Sequence, residues 1–210
     1  MLNRRYRSAS QIDSVIDLEK LRSGPKNCIE RDPSQFFGLT YLTEDLHKVL
    51  RALSQRFDSG AGGKEGTTGL VLAEGVKGQG KSHALLLTYH LFANPGPAQV
   101  WMKSVGYQWN PPADAIVLVE KFTDQYLPLD SLWSYIAEKL GITWTQERPP
   151  SLQEFKGALA GRHLVLVFDE LERGITNIVD PNRRSQNLSF LQMISEEANR
   201  GTLVTLVSAI

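Results

Sequence analysis

Apolar and polar positions along this chain change period from one segment to the next. Leu70–Ala73 and 115–122 ("AIVLVEKF") are short apolar runs with strand character, and "HLVLVFDEL" (163–171) is almost uninterrupted apolar until two acids end it. A strand apolar at successive positions belongs in a sheet covered on both faces, and therefore in a mostly parallel one. "TLVTLVSAI" (202–210) reads as a last strand of the same kind. Between these runs the period becomes helical. "TEDLHKVLRALSQRF" carries apolar residues at 46, 49, 50 and 53, with Thr43 placed to cap the helix. Helices are predicted over 82–92, 98–109, 129–141, 152–161 and 188–201, with "NPGP" (94–97) closing the first of these. The stretch 58–69 and the segment through "DPNRRSQN" read as loops, and no internal repeat is present. Strands alternating with helices predict an α/β sandwich of three layers.

Residues 1–35 are polar and interrupted by Gly24-Pro25 and Asp32-Pro33, with one short helix in "DSVIDLEKL". They are read as a peripheral segment, and 36–210 as one core. A β-rich apolar segment is a poor natural end, so the chain is expected to be truncated, its sheet incomplete. Composition adds little: 210 residues, 41% hydrophobic, with 23 basic and 23 acidic side chains balancing to zero. Zero net charge supplies no global argument for nucleic acid or membrane. Cys28 is the single cysteine, and His47, His83, His90 and His163 lack zinc-like spacing. With no apolar leader and no bilayer-length run, the expected location is cytoplasmic, without a membrane.

The chemistry lies between the first strand and the helix after it. "GVKGQGKS" (75–82) satisfies G-x-x-x-x-G-K-[ST], the phosphate-loop or Walker A pattern. Glycines at 75, 78 and 80 permit the backbone, including Val76, Lys77 and Gln79, to turn successive N–H groups toward an anion. The following helix aims its unpaired N–H groups at the same place. Lys81 can reach β- and γ-phosphates, the Ser82 hydroxyl can ligate Mg2+, and His83 completes the first turn with a structural hydrogen bond to the acidic strand or the next one. The cofactors so implied are ATP and Mg2+. The competing reading is a glycine-rich connector with an incidental lysine.

Asp169, at the carboxyl end of "LVLVFDE", is the second metal-holding candidate, in the Walker B role. Glu170 follows as a general base for water, which favours hydrolysis over phosphotransfer to a small molecule. One clear strand, 116–119, separates the loop from the acidic strand, as in the additional-strand ATPases. No N-K-x-D motif for reading guanine is present, and "NRR" (182–184) is badly placed for a kinase lid. The last strand should lie beside the acidic one, with Ser208 as the residue sensing the γ-phosphate and Thr205 as second choice. Arg183 and Arg184 are read as a solvated charged loop, in preference to a contact with a neighbouring subunit or nucleic acid. The four tryptophans are read as packing residues.

The loop and acidic strand together resemble the P-loop additional-strand ATPases, AAA+ and its relatives. More narrowly, "FFGLTYLTEDLHKVLRAL" (36–53) and "GLVLAEGVKGQGKSHALLLTYHLF" (69–92) resemble the N-terminal ATPase domain of DUF499 and BREX-type bacterial proteins, which occur with DNA methyltransferases in phage-defence systems. The resemblance implies a P-loop NTPase fold whose lid is missing. It also implies MgATP hydrolysis that drives remodelling of DNA or of a protein complex. Self-association or a larger assembly follows from it, with DNA contacted through domains outside this chain. Adenine would then be held around Phe36–Leu42. A nucleotide-dependent scaffold with little turnover is the alternative function.

Overall fold

The computed structural model describes residues 16–57, 67–74, 80–112, 114–122 and 131–209. Within them, four strands form one sheet: β1 (Leu70–Ala73), β2 (Ile116–Lys121), β3 (Leu164–Asp169) and β4 (Val204–Ala209). Their spatial order is β1–β4–β3–β2, and all three pairings are parallel. A parallel pair cannot be joined by a tight turn, so each connection must cross over the sheet. Helices α4 (Lys81–Ala93) and α5 (Pro95–Ser104) lie between β1 and β2, α6 (Leu132–Leu140) and α7 (Leu152–Leu159) between β2 and β3, and α8 (Leu171–Thr176) and α9 (Pro181–Arg200) between β3 and β4. Three helices come first: α1 (Glu19–Ser23), α2 (Pro33–Leu39) and α3 (Glu44–Phe57).

Strand alternation decides which helices cover which face. Val165, Val167, Val207 and Ala209 pack with Leu50, Leu53, Leu85 and Leu86 of α3 and α4. Leu164, Leu166, Phe168, Val204 and Leu206 pack with Trp133, Phe155, Phe190 and Ile194 of α6, α7 and α9. The result is the three-layer α/β sandwich anticipated from the apolar runs. β3 and β4 are buried along their whole length, whereas β1 and β2 form the edges. Residues 16–31 lie against the α3–α4 layer: Leu18 is buried there, and Ile16, Leu21 and Ile29 pack on it.

Three segments depart from the expectation. Helix α5 occupies Pro95–Ser104, not 98–109. Pro95 starts it, since proline suits the first helical position, and Gly106 (φ 75°) turns the chain away soon after its end. Helix α9 begins at Pro181, so "NRRSQN" is its first turns and not a loop. Asp180 caps it by accepting from the Asn182 N–H at 2.9 Å. Arg183 and Arg184 are therefore held on a helix: Arg183 donates to the Gln146 carbonyl (2.6 Å) and lies over the Trp133 ring, while Arg184 donates to the Ile178 carbonyl (2.6 Å). Finally, the acidic strand stops at Asp169, and α8 follows where a loop was expected.

Two buried histidines brace the sandwich, and their tautomers follow from their partners. His163 Nδ1–H donates to the Thr202 carbonyl (2.8 Å), leaving Nε2 to accept from the Thr205 hydroxyl (2.9 Å). His90 Nε2–H donates to the Glu30 carbonyl (3.1 Å), and its Nδ1 accepts from the Asn94 amide (2.9 Å). Protonation of His90 would set Nδ1–H against the Asn94 amide donor, whereas at His163 the Thr205 hydroxyl can turn to accept from Nε2–H. Burial pushes both rings down to about 4, and the Arg56 charge adds to the effect at His163. An unfolded histidine binds its proton near pH 6.5, so the unfolded state gains protons first as the pH falls. Stability should thus be full above that value and decline toward pH 4. Urea unfolding should show a loss of about 2 kcal/mol per ring between about pH 7.5 and about pH 5, and His163→Gln should flatten the slope.

Gly69, immediately before β1, is a second constraint. A Cβ there would sit 2.8 Å from the carbonyl oxygens of Ala198 and Val204, both backbone atoms that cannot step aside. Gly69→Ala should destabilise the fold by about 1–3 kcal/mol, read as a lower urea midpoint with an unchanged slope.

Candidate functional site

The carboxyl end of the sheet brings distant residues together. Asp169 is the last residue of β3, and α4 starts at Lys81 and packs across β2, β3 and β4. Their meeting point is a hydrogen bond: Ser82 Oγ donates to Asp169 Oδ2 at 3.3 Å, joining positions 87 residues apart in the chain. Gly80, just before the helix, is exposed and takes a left-handed backbone (φ 83°), which glycine adopts without a Cβ penalty. Among the described residues no side chain caps α4, whose N-terminal N–H groups carry the positive end of the helix dipole. The preceding residues Gly75, Val76, Lys77, Gly78 and Gln79 lie outside the described residues.

Asp169 is only 6% exposed. Burial raises its pKa and the neighbouring Glu170 charge adds to this, while Lys121 and the Ser82 hydroxyl pull it back. Glu170 turns the chain out of the strand with φ 54°, an unusual conformation for a residue with a Cβ that costs about 1–2 kcal/mol. Its carboxylate pairs with Arg173 Nη1 at 3.1 Å. Two acidic side chains in adjacent positions, one of them buried, therefore meet at this end of the sheet, with Arg173 and Lys121 beside them.

Lys121 is the cation that answers that charge, and the sequence reading passed over it. It ends β2 and is the register partner of Asp169, so the two side chains share the face that carries Ser82. Its ammonium group pairs with Asp17 at 3.1 Å. Burial works against the charged form of Lys121, but the bond to Asp17 and the charges of Asp17, Glu170 and Asp169 raise its pKa on balance. The signal lay in "VEKF", a lysine closing an apolar strand that must pair beside the acidic one.

His83 does not bond to the acidic strand or to the one after it. One residue past Ser82 means a rotation of about 100° around the helix, and His83 faces α2 instead. The Thr40 hydroxyl donates to the Phe36 carbonyl (2.8 Å), so His83 Nε2–H donates to Thr40 Oγ1 (3.0 Å). Phe36 packs against the imidazole at 5.0 Å between ring centroids. On either side of Thr40, Leu39 and Tyr41 are 69% and 86% exposed, whereas Phe36 and Phe37 are buried. Ser208 pairs with Phe168 and Leu72, and strand alternation puts its side chain on the α6–α9 face, away from Ser82 and Asp169. Thr205 is engaged by His163 near the opposite end of the strands.

A scan of protein families matches residues 6–105 to the DUF499 N-terminal domain. The DUF499 match covers just under half of the chain and contains Lys81 and Ser82, while Asp169 and Glu170 fall beyond it. No curated protein and no solved structure matches the chain. Among the described residues, no helix is long and apolar enough to cross a membrane, and no group of three or more His, Cys, Asp and Glu side chains could hold a metal ion.

Because Asp169 is buried beside another carboxylate, its charge opposes folding when nothing binds there. Asp169→Asn keeps an acceptor for Ser82 and removes that charge. The variant should unfold at a higher temperature than the parent at neutral pH without added ligand, by on the order of 1 kcal/mol of stability. A lower unfolding temperature would show that the carboxylate serves the fold.

Proposed function

We propose that this chain binds ATP with Mg2+ and hydrolyses it, as the ATPase part of a machine that remodels DNA or a protein complex. The observation that carries the reading is the Ser82–Asp169 hydrogen bond at the start of α4. It joins the residue that ends the phosphate-loop pattern to the acid that ends the buried strand. The residues suit the ligands: a hydroxyl and a carboxylate oxygen are the hard donors Mg2+ takes, and a helix N-terminus with a lysine suits polyphosphate. When bound, Mg2+ would neutralise charge building up on the phosphates.

Each residue then has a definite task. The α4 N–H groups and Lys81 hold phosphate oxygens, with Gly75 to Gly80 wrapping the remainder. Ser82 and Asp169 hold the metal. Glu170 orients a water molecule and accepts its proton. Leu39 and Tyr41, exposed on the turn that Thr40 ties to His83, offer apolar surface for the adenine ring. Ser208, on the opposite face of the sheet from Ser82 and Asp169, is given no part in holding the phosphates. The DUF499 relationship favours a role in anti-phage defence within a larger assembly or oligomer, in the cytoplasm, with DNA reached through other domains.

A second reading, a nucleotide-binding scaffold with little turnover, is favoured by one contact. Arg173 holds the Glu170 carboxylate that would have to act as base. Two substitutions separate the readings. Lys81→Ala should lower MgATP affinity at least about tenfold in calorimetry, with the circular dichroism spectrum unchanged. Glu170→Gln should bind MgATP as well as the parent and lose about 100-fold or more in phosphate release. Turnover that survives Glu170→Gln would remove the glutamate from the mechanism. Parent protein that binds MgATP yet releases no phosphate would favour the scaffold.

A further inference from the structure

The turn between α2 and α3 is pinned at its centre and bare on both sides. Every polar group of Thr40 is engaged. Its N–H donates to the Phe37 carbonyl (3.2 Å), its hydroxyl donates to the Phe36 carbonyl (2.8 Å), and its own carbonyl accepts from Trp101 Nε1 of α5 (3.1 Å). Thr40 Oγ1 also accepts from His83 Nε2–H (3.0 Å), which bonds the turn directly to the first turn of α4. Phe36 and Phe37 are buried and pack on His83 and Trp101 respectively, with ring centroids 5.0 and 5.3 Å apart. Leu39 and Tyr41, one residue to either side of this anchor, stay largely in solvent. A rigid anchor thus holds out two large apolar side chains within one residue of a bond to α4.

His83 follows Ser82, and one residue is a rotation of about 100° around the helix. A triphosphate lying at the start of α4 therefore has Ser82 and Asp169 on one flank and the His83–Thr40 bond on another. The imidazole brings no charge to that place. Burial lowers its pKa, so the ring is neutral at physiological pH, and its Nε2–H is engaged by Thr40. What it supplies is a fixed separation between the helix start and the two exposed apolar side chains. A nucleobase stacks through its flat face on rings and apolar groups of this kind, and the contact is strongest where the partner is already held in place.

We propose that His83 is a positioning residue for nucleotide recognition: its bond to Thr40 sets the Leu39–Tyr41 turn against the start of α4, so that base and phosphates are gripped as one unit. This rests on the nucleotide reading above and adds the element that makes the site select a nucleoside triphosphate over a bare triphosphate. With the bond intact, stacking needs no further ordering of the turn, because the order is built into the fold. Without it, the turn keeps its bonds to Trp101 and to α2 but loses its tie to α4, and each base contact must order the turn again. The grip of Lys81 and Ser82 on the phosphates does not run through that tie.

Calorimetry of MgATP and of magnesium tripolyphosphate on the full 210-residue chain tests this, with urea unfolding of each variant alongside. The parent should bind MgATP about tenfold or more tighter than tripolyphosphate. His83→Ala and Thr40→Val should each bring that ratio to about threefold or less, with tripolyphosphate affinity unchanged. Because both remove the same bond, the double variant should go no further than either alone. His83→Gln, whose amide N–H can donate to Thr40 Oγ1, should restore the ratio. Tyr41→Ser, at an exposed position, should lower the ratio without moving the urea midpoint. A parent that binds both ligands equally, or a His83→Ala variant that weakens both alike, overturns the positioning role and leaves the phosphate site standing. If the parent binds neither ligand, the nucleotide reading and this inference fall together.

Discussion

Strand β3 is apolar toward both faces, and every one of its side chains is buried. Nothing else in the molecule constrains so much. A strand of that kind has to lie inside a sheet with helices above and below, and its hydrogen-bonding groups must be met by neighbours on both edges. β2 and β4 meet them, both in parallel, which in turn demands crossover helices. The direction shared by the strands then gathers their carboxyl ends at one rim. There the chain leaves β1, re-enters at α4, and stops β3 on a carboxylate.

The same constraint explains why the rim is electrostatically uneasy. Asp169 belongs to the buried strand and inherits its desolvation, and Glu170 adds a like charge in a left-handed conformation. A structure selected for stability alone would place neither there. The compensations are partial: one hydroxyl from Ser82, one lysine shared with Asp17, and one arginine on α8.

Much of the fold was legible because burial leaves periodic traces. β1 matches its expected bounds, β2 and β3 fall within theirs, and α3, α6 and α7 follow their stripes, with Thr43 accepting from the Leu46 N–H at the start of α3 and Gly141 closing α6. The misread stretch "DPNRRSQN" is instructive because polarity was mistaken for a loop. Its Asn187 is fully buried and its Oδ1 accepts from the Leu132 N–H (2.7 Å), satisfying the start of another helix. That partner is 55 residues away, so local composition carries no sign of it. The six residues of α8, between Glu170 with its left-handed backbone and Asn177, were too few to show a period.

The sequence by itself determined the layered α/β class, the parallel character of the sheet and the residue types of the candidate site, because each leaves a signature within about ten consecutive positions. Only the tertiary structure decided which strand lies beside which, and hence that Lys121 shares a face with Asp169 while Ser208 faces the other way. It also decided that His83 turns to Thr40 and that Asp17 reaches Lys121 across 104 positions. Contacts of that span depend on strand order and register, and a one-residue slip in register would reverse every face assignment.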